Sequence, residues 1–121
     1  MIKLGQSTGG APEKQVVSDI ECFLKLNGWM VHRIEQRIGF RTGTPDMIAG
    51  KDGRAMWIEA KRRWGPWRDK YGKIKNLRGN VQRPGQIKFQ KMWQKHIPYI
   101  VARKWEDVAE TIMSNFSSRI L

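Results

Sequence analysis

The chain has 121 residues, of which 40% are hydrophobic and 28% are charged, a balance typical of one soluble globular domain. Its 23 Lys and Arg residues outnumber 11 Asp and Glu residues, and the formal net charge of +12 favours a polyanionic partner such as nucleic acid. No apolar stretch approaches the roughly 18 residues of a membrane helix, and no signal sequence is visible. The single cysteine, Cys22, excludes an intramolecular disulfide, and we expect a cytoplasmic location and no membrane partner.

The first half of the chain predicts a helix, a strand and a hairpin. Residues 1–12 are rich in small polar residues and are expected to be flexible. From Glu13, apolar residues repeat at helical spacing up to the stop signal Asn27-Gly28. The segment WMVHRIE at 29–35 then alternates like a strand. Two apolar runs, DMIAG and AMWIEAKRR, flank the turn KDGR and predict a hairpin closed near Asp52-Gly53.

The second half predicts an insert, then a helix, a strand and a last helix. The insert, 63–85, is rich in basic and aromatic residues. Pro84 opens the helix PGQIKFQKMWQKH, whose core candidates are Ile87, Phe89, Met92 and Trp93. PYIVARK reads as a strand and WEDVAETIMSNFSS as a helix, and Cys22 is expected in the core. The order αβββαβα predicts an α/β fold, a mixed β-sheet flanked by helices, in a single domain over 13–121.

The hairpin brings acidic residues together. Counting back from the turn pairs Ala49 with Met56 and therefore Asp46 with Glu59, whose Cβ atoms would lie about 4.5–5.5 Å apart. Glu59 and Lys61 share one face of their strand, and Ala60 lies on the opposite, apolar face. Two close carboxylates repel unless a cation compensates them, and Mg²⁺ prefers such oxygen ligands. The alternative is structural: Asp46 caps a turn, Glu59 is solvated and Lys61 begins a basic run.

These residues also carry a family resemblance. GTPD at 43–46, EAK at 59–61 and Gln86 at the start of the helix in RPGQIKFQ resemble the VRR-NUC type of PD-(D/E)XK nuclease, the virus-type replication-repair nucleases. An N-terminal helix with an early glutamate adds to the resemblance, which covers Glu13 to about Val108. The resemblance implies a restriction-endonuclease-like core and a metal-dependent phosphodiesterase that acts on DNA.

The resemblance also implies roles for individual residues. Asp46 and Glu59 would hold Mg²⁺ or Mn²⁺, with the carbonyl of Ala60 as a further ligand. Lys61 would orient or activate the attacking water, or stabilise the scissile phosphate, and Gln86 would position water or phosphate.

The helix acid has two candidates. Registering the first helix on its apolar residues favours Glu13 as the catalytic helix acid. Glu21 stays open as the alternative.

Basic residues near these motifs are the predicted DNA contacts, because cations bind phosphates and aromatic rings stack on unpaired bases. The connection at 63–85 is longer than is common in the resembling family and is expected to be a DNA-embracing flap or a dimer arm. The alternative is a mobile solvated loop whose tryptophans pack on the core. The predicted contacts are Arg37, Arg41, Thr42, Arg62, Arg63, Trp67, Arg68, Lys70, Lys73, Lys75, Arg78 and Arg83.

The resemblance implies an endonuclease of phage type, encoded by a phage or its bacterial host. Members that consist of the nuclease domain alone are similar to Holliday-junction resolvases, which cut branched DNA. Two symmetric cuts require two active sites, and a homodimer supplies them. The alternatives are a sequence-specific or nicking endonuclease of the same fold, and a catalytically inactive nucleic-acid-binding module.

Overall fold

The computed structural model describes residues 1–34, 43–63, 71 and 82–116. Within these residues, three helices and four strands follow one another in the order that the sequence predicts. None of the helices within the described ranges is long and apolar enough to cross a membrane. The elements are α1 (Glu13–Leu26), β1 (Met30–Arg33), β2 (Met47–Lys51), β3 (Arg54–Ala60), α2 (Pro84–Trp93), β4 (Tyr99–Ala102) and α3 (Trp105–Phe116).

The four strands form one mixed sheet in the order β1-β2-β3-β4. The first three are antiparallel neighbours, and β4 runs parallel to β3. Ala49 pairs with Met56, which confirms the register predicted for the hairpin. Asp52 at φ 51° and Gly53 at φ 77° form its turn, and two successive positive φ angles match the right-handed twist of the flanking strands. The predicted mixed sheet with flanking helices is confirmed.

One face of the sheet carries the hydrophobic core. Met56, Ile58 and Ala60 of β3 are fully buried on this face, as the alternation of β3 predicts. Helices α1 and α3 contact the sheet and each other. Phe23 of α1 and Trp105 of α3 pack with their ring centroids 4.8 Å apart. The two helices and the inner face of the sheet therefore share one core.

Trp57 and the other outward-facing side chains of β3 lie on the opposite face, where α2 packs. The ring of Trp57 lies 5.2 Å from Phe89 and 5.5 Å from Trp93, measured between centroids. The described helix α2 buries none of its residues. The prediction that Ile87, Met92 and Trp93 belong to the core was therefore wrong, since all three are exposed. A helix that covers the sheet with only a few side chains keeps most of its surface in water.

Cys22 is also exposed, so its predicted place in the core was wrong. The buried residues of α1 are Val16, Ile20, Phe23 and Leu24. At 3.6 residues per turn, two positions separate Cys22 from Ile20 by about 200°, which puts it outside the buried stripe.

The segment 1–12 contacts the rest of the protein at several points. The indole of Trp105 donates a hydrogen bond to the carbonyl of Gly5 at 3.2 Å. Ser7 donates from its amide at 2.8 Å and from its hydroxyl at 2.6 Å to the carboxylate of Glu106. Ala11 forms an isolated antiparallel bridge with Arg63. The segment is thus attached to α3 and to the end of β3, and its flexibility stays a prediction.

Candidate active site

Asp46 lies immediately before β2, one residue beyond the last ladder pair, Met47 with Ile58. Its amide donates to the carbonyl of Ile58 at 3.0 Å, and its carbonyl accepts from the amide of Ile34 at 2.8 Å. Its carboxylate oxygen Oδ2 accepts a hydrogen bond from the amide of Ala60 at 2.7 Å. Asp46 is therefore held through both its backbone and its side chain beside the end of β3, where Glu59 and Lys61 lie.

The carboxyl of Asp46 resists ionisation. Burial raises its pKa from 3.8 to about 6, although the hydrogen bond from Ala60 opposes this shift. The charges of Glu13 and Glu59 raise the pKa further, and the nearby ammonium of Lys61 lowers it. The carboxylates predicted to act together are therefore close enough to influence one another.

Glu59 is fully buried, and its two carboxylate oxygens differ. Oε1 accepts hydrogen bonds from the hydroxyl of Tyr99 at 2.6 Å and from the side-chain amide nitrogen Nε2 of Gln82 at 3.2 Å. Oε2 accepts no hydrogen bond from any residue that the structure describes. Its cationic neighbour is Nζ of Lys61, 3.6 Å away. A buried carboxylate oxygen without a donor is unfavourable, so this atom suits a bound cation.

Lys61 is buried beside Glu59, with 3% of its surface exposed. Its Nζ donates a hydrogen bond to Oε1 of Gln86 at 2.9 Å. The same oxygen of Gln86 accepts a hydrogen bond from the amide of Arg83 at 2.9 Å, which caps the first turn of α2. The amide side chain of Gln86 thus connects the start of α2 to the ammonium group of Lys61. Its positioning of water or phosphate stays a prediction.

Gly43 explains how α2 approaches so closely. Its φ of 102° lies in the region that glycine favours, and its Cα faces the start of α2. A Cβ atom at this position would lie 2.5 Å from the carbonyl oxygen of Gly85 and 2.9 Å from the amide nitrogen of Gln86. The glycine of the GTPD motif therefore leaves the space in which the first turn of α2 sits.

The two candidate helix acids have different surroundings. Glu21 forms a two-pronged ion pair with Arg33 of β1, with N–O distances of 3.0 and 3.2 Å. Glu13 instead raises the pKa of Asp46 and lines a cavity of about 340 Å³ with it. The structure thus brings Glu13, rather than Glu21, beside the paired carboxylates. A catalytic role for Glu13 stays a prediction.

Few of the described side chains at the site could serve as metal ligands. The described residues contain no group of three or more His, Cys, Asp or Glu side chains that could hold a metal ion. Mg²⁺ is often bound through only one or two carboxylates while it keeps several waters. Asp46 and Glu59, with the carbonyl of Ala60 as a further oxygen, fit that mode, and the buried Oε2 of Glu59 is suited to it.

Three of the predicted DNA contacts are described, and they differ. The guanidinium of Arg63 donates to the carbonyls of Gly9 at 2.7 Å and Thr8 at 3.3 Å, so it holds the N-terminal segment. The carbonyl of Arg62 accepts from the guanidinium of Arg103 at 3.0 Å, and Arg83 is exposed at the start of α2. Their DNA contacts stay predictions. The other predicted contacts lie outside the described residues: Arg37, Arg41, Thr42, Trp67, Arg68, Lys70, Lys73, Lys75 and Arg78.

Two residues at the site were missed by sequence reasoning. Tyr99 and Gln82 both donate to Glu59, and burial together with the hydrogen bond to Glu59 raises the pKa of Tyr99 well above its ordinary value. Tyr99 reaches Glu59 through the parallel pairing of β3 with β4, for which no local sequence pattern exists. Gln82 lies in the segment interpreted as an insert, where its polar side chain gave no signal.

No protein-family model matches this sequence, and no curated protein matches it. Among solved structures, one described as a VRR_NUC domain is similar to this chain, with a TM-score of 0.62 and 16% sequence identity. The similarity covers 88% of this chain and 99% of that chain. At a sequence identity this low, the similarity shows a shared fold and not a shared activity. The chain therefore has the fold of a VRR_NUC domain, as the motifs GTPD and EAK indicated.

Proposed function

We propose that this protein is a metal-dependent nuclease that hydrolyses phosphodiester bonds in DNA. The observation that carries the proposal is the environment of Glu59, whose buried Oε2 has no hydrogen-bond donor among the described residues. Asp46 and Lys61 lie beside it, and the charges of Glu59 and Lys61 act on the carboxyl of Asp46. The VRR_NUC-like fold and the net charge of +12 add support for a nucleic-acid substrate.

The proposed reaction is a hydrolysis. A water oxygen forms a bond to phosphorus while one phosphorus–oxygen ester bond breaks. The water gives up one proton and the departing sugar oxygen takes one up, so the products are a phosphate monoester and a hydroxyl, and no other reactant is consumed.

The proposed roles are those that the resemblance implies, and the positions of the side chains support them. Asp46 and Glu59 would hold Mg²⁺ or Mn²⁺, with the carbonyl of Ala60 as a further ligand. When bound, such an ion lowers the pKa of water and offsets negative charge on the phosphate. Lys61 donates hydrogen bonds, and its ammonium stabilises charge that develops on the phosphate. Gln86 orients Lys61 through their 2.9 Å hydrogen bond.

The proposal extends to branched DNA and to a homodimer. A small domain with one set of paired carboxylates makes one cut, so symmetric cutting of a four-way junction needs a second copy related by a two-fold axis. The similarity of stand-alone nuclease domains of this type to junction resolvases supports this choice of substrate.

Cleavage of labelled DNA by the purified protein tests the proposal. A four-way junction and a linear duplex of the same sequence would be incubated with Mg²⁺ and with EDTA. We expect cutting of the junction only with Mg²⁺. Asp46→Asn, Glu59→Gln and Lys61→Ala should each lower the rate by about 100-fold or more while binding persists. Glu110→Gln, which changes an exposed glutamate of α3, serves as the matched control and should cut normally.

Each alternative has its own outcome. Cutting of the duplex at one motif with equal rates on both substrates would identify a sequence-specific endonuclease. DNA binding by the wild-type protein without cleavage in Mg²⁺ or Mn²⁺ would identify an inactive binding module. Undiminished cutting by Asp46→Asn would contradict the site itself.

A further inference from the structure

The carboxylate of Glu59 is held asymmetrically by two neighbouring elements. Tyr99, the first residue of β4, donates its hydroxyl proton to Oε1 at 2.6 Å. Gln82, just before α2, donates to the same oxygen at 3.2 Å and to Oε1 of Gln90 at 2.8 Å. Both donors therefore act on one oxygen of Glu59, and neither reaches Oε2.

The position of Tyr99 is fixed by more than this hydrogen bond. It lies opposite Trp57 in the parallel ladder, so its backbone is held by β3. Its ring lies 6.2 Å from that of Phe89 on α2, measured between centroids. The hydroxyl is thus presented to Oε1 by a rigid strand and a packed ring, with little rotational freedom left to lose.

We propose that Tyr99 is a positioning residue for the metal site: together with Gln82 it occupies Oε1 of Glu59, so that this carboxylate binds a cation through Oε2 alone. This inference rests on the proposed function. A carboxylate that binds through one oxygen suits Mg²⁺ and Mn²⁺ in octahedral geometry, whereas Ca²⁺ takes six to eight oxygens and often binds both oxygens of one carboxylate. Tyr99 therefore selects against Ca²⁺.

Calorimetric titration of the full chain with Mn²⁺ alone and with Ca²⁺ alone, in the absence of DNA, tests this role. Tyr99→Phe removes the hydroxyl and keeps the ring. We expect it to weaken Mn²⁺ binding by about tenfold, the effect typical of removing an outer partner of a metal ligand. Oε1 of Glu59 then keeps only the longer hydrogen bond from Gln82 and becomes more available to a cation. Ca²⁺ binding should therefore weaken much less, and the preference for Mn²⁺ over Ca²⁺ should fall by about tenfold.

Tyr71→Phe is the matched control, since Tyr71 is the other tyrosine of the chain and is 76% exposed. It should leave both affinities unchanged. Gln82→Leu removes the second donor and should shift the preference in the same direction by a smaller factor, because its hydrogen bond is longer. If circular dichroism shows that Tyr99→Phe does not fold, the shift in Gln82→Leu decides.

The outcomes separate this inference from the proposed function. If the folded Tyr99→Phe variant binds Mn²⁺ and keeps the wild-type preference over Ca²⁺, the positioning role is overturned while the nuclease proposal stands. If the wild-type protein binds no Mn²⁺ and cuts no DNA, the proposed function fails and the role of Tyr99 fails with it.

Discussion

The proposed metal-ligand role of Asp46 makes cation binding depend on the pH of the solution. Its pKa of about 6 results first from burial, and a carboxyl group must lose its proton before it can bind a metal ion. Below pH 6 the protonated form dominates, so a metal ion has to displace a proton. Above pH 6 the carboxylate is already ionised and the affinity becomes independent of pH.

We therefore expect Mn²⁺ affinity to be constant between about pH 7 and 8 and to fall by about tenfold per pH unit below about pH 6. Calorimetric titration of the wild-type protein across this range measures the effect. An affinity that stays constant down to pH 5 would show that Asp46 does not bind the ion.

The same carboxyl group lowers the stability of the metal-free protein. Its pKa is higher in the folded state than the unfolded value of 3.8, so the unfolded chain loses this proton first as the pH rises. The contribution of Asp46 to the free energy of unfolding therefore falls between about pH 4 and 6 and stays low above that range. The ionised form of Asp46 is thus predicted to oppose folding of the metal-free protein.

Asp46→Asn should consequently stabilise the metal-free protein. At pH 7.5 in EDTA we expect its free energy of unfolding to exceed that of the wild type by about 1–3 kcal/mol, with the gain disappearing near pH 4. Urea unfolding at both pH values measures this difference. A variant that is less stable than the wild type at pH 7.5 would contradict the interpretation.

The first turn of α2 and the loop before β2 approach each other through a glycine. Gly43 has a positive φ, and a Cβ there would overlap the backbone of Gly85, which cannot move without moving α2. Gly53 also has a positive φ, 77°, but a Cβ there would meet no atom within 4 Å. A substitution at Gly53 therefore introduces backbone strain alone, whereas a substitution at Gly43 introduces both backbone strain and steric overlap.

Gly43→Ala should therefore be worse than Gly53→Ala. We expect Gly53→Ala to cost about 1 kcal/mol from backbone strain alone, and Gly43→Ala to cost about 2 kcal/mol or more. Because α2 carries Gln86, Gly43→Ala should also slow DNA cleavage, whereas Gly53→Ala should not. Urea unfolding and the junction assay measure the two effects, and equal losses of stability in both variants would exclude the close approach.

The charge of the whole molecule bears on the DNA binding that we propose. Phosphates that are neutralised by Lys or Arg release counterions, so the affinity falls with salt in proportion to the number of phosphates neutralised. The insert carries many of the surplus cations, and it lies in the chain between Lys61 and Gln86. Because the insert lies close in sequence to both residues, we predict that it contacts DNA.

A triple variant in which glutamine replaces Lys70, Lys73 and Lys75 should bind DNA more weakly. The slope of log affinity against log salt concentration should become shallower by about one unit for each phosphate that the variant no longer neutralises. The matched control replaces three exposed lysines elsewhere, Lys3, Lys25 and Lys104. Affinity measured at several salt concentrations distinguishes them. An equal change in slope for both triple variants would show that the insert has no particular role.

Local patterns were enough to predict the elements and the two faces of β3. Helical spacing marked α1, and the turn at Asp52-Gly53 set the hairpin register that placed Asp46 beside Glu59. These features depend on residues close together in the chain, so their periodicity and turn chemistry are visible in the sequence. The fold class and the positions of the motifs on the strands could therefore be predicted from the sequence.

Contacts between distant segments could not be obtained in this way. The parallel pairing of β3 with β4 brings Tyr99 to Glu59. The apolar register of α1 favoured Glu13, but only the packing of α1 against the sheet shows Glu13 rather than Glu21 beside Asp46. The exposure of most of α2 has the same origin, whereas the exposure of Cys22 follows from the helical spacing of α1. Which surfaces pack together depends on the combined burial of many residues from distant segments. No single segment of the sequence therefore predicts this packing.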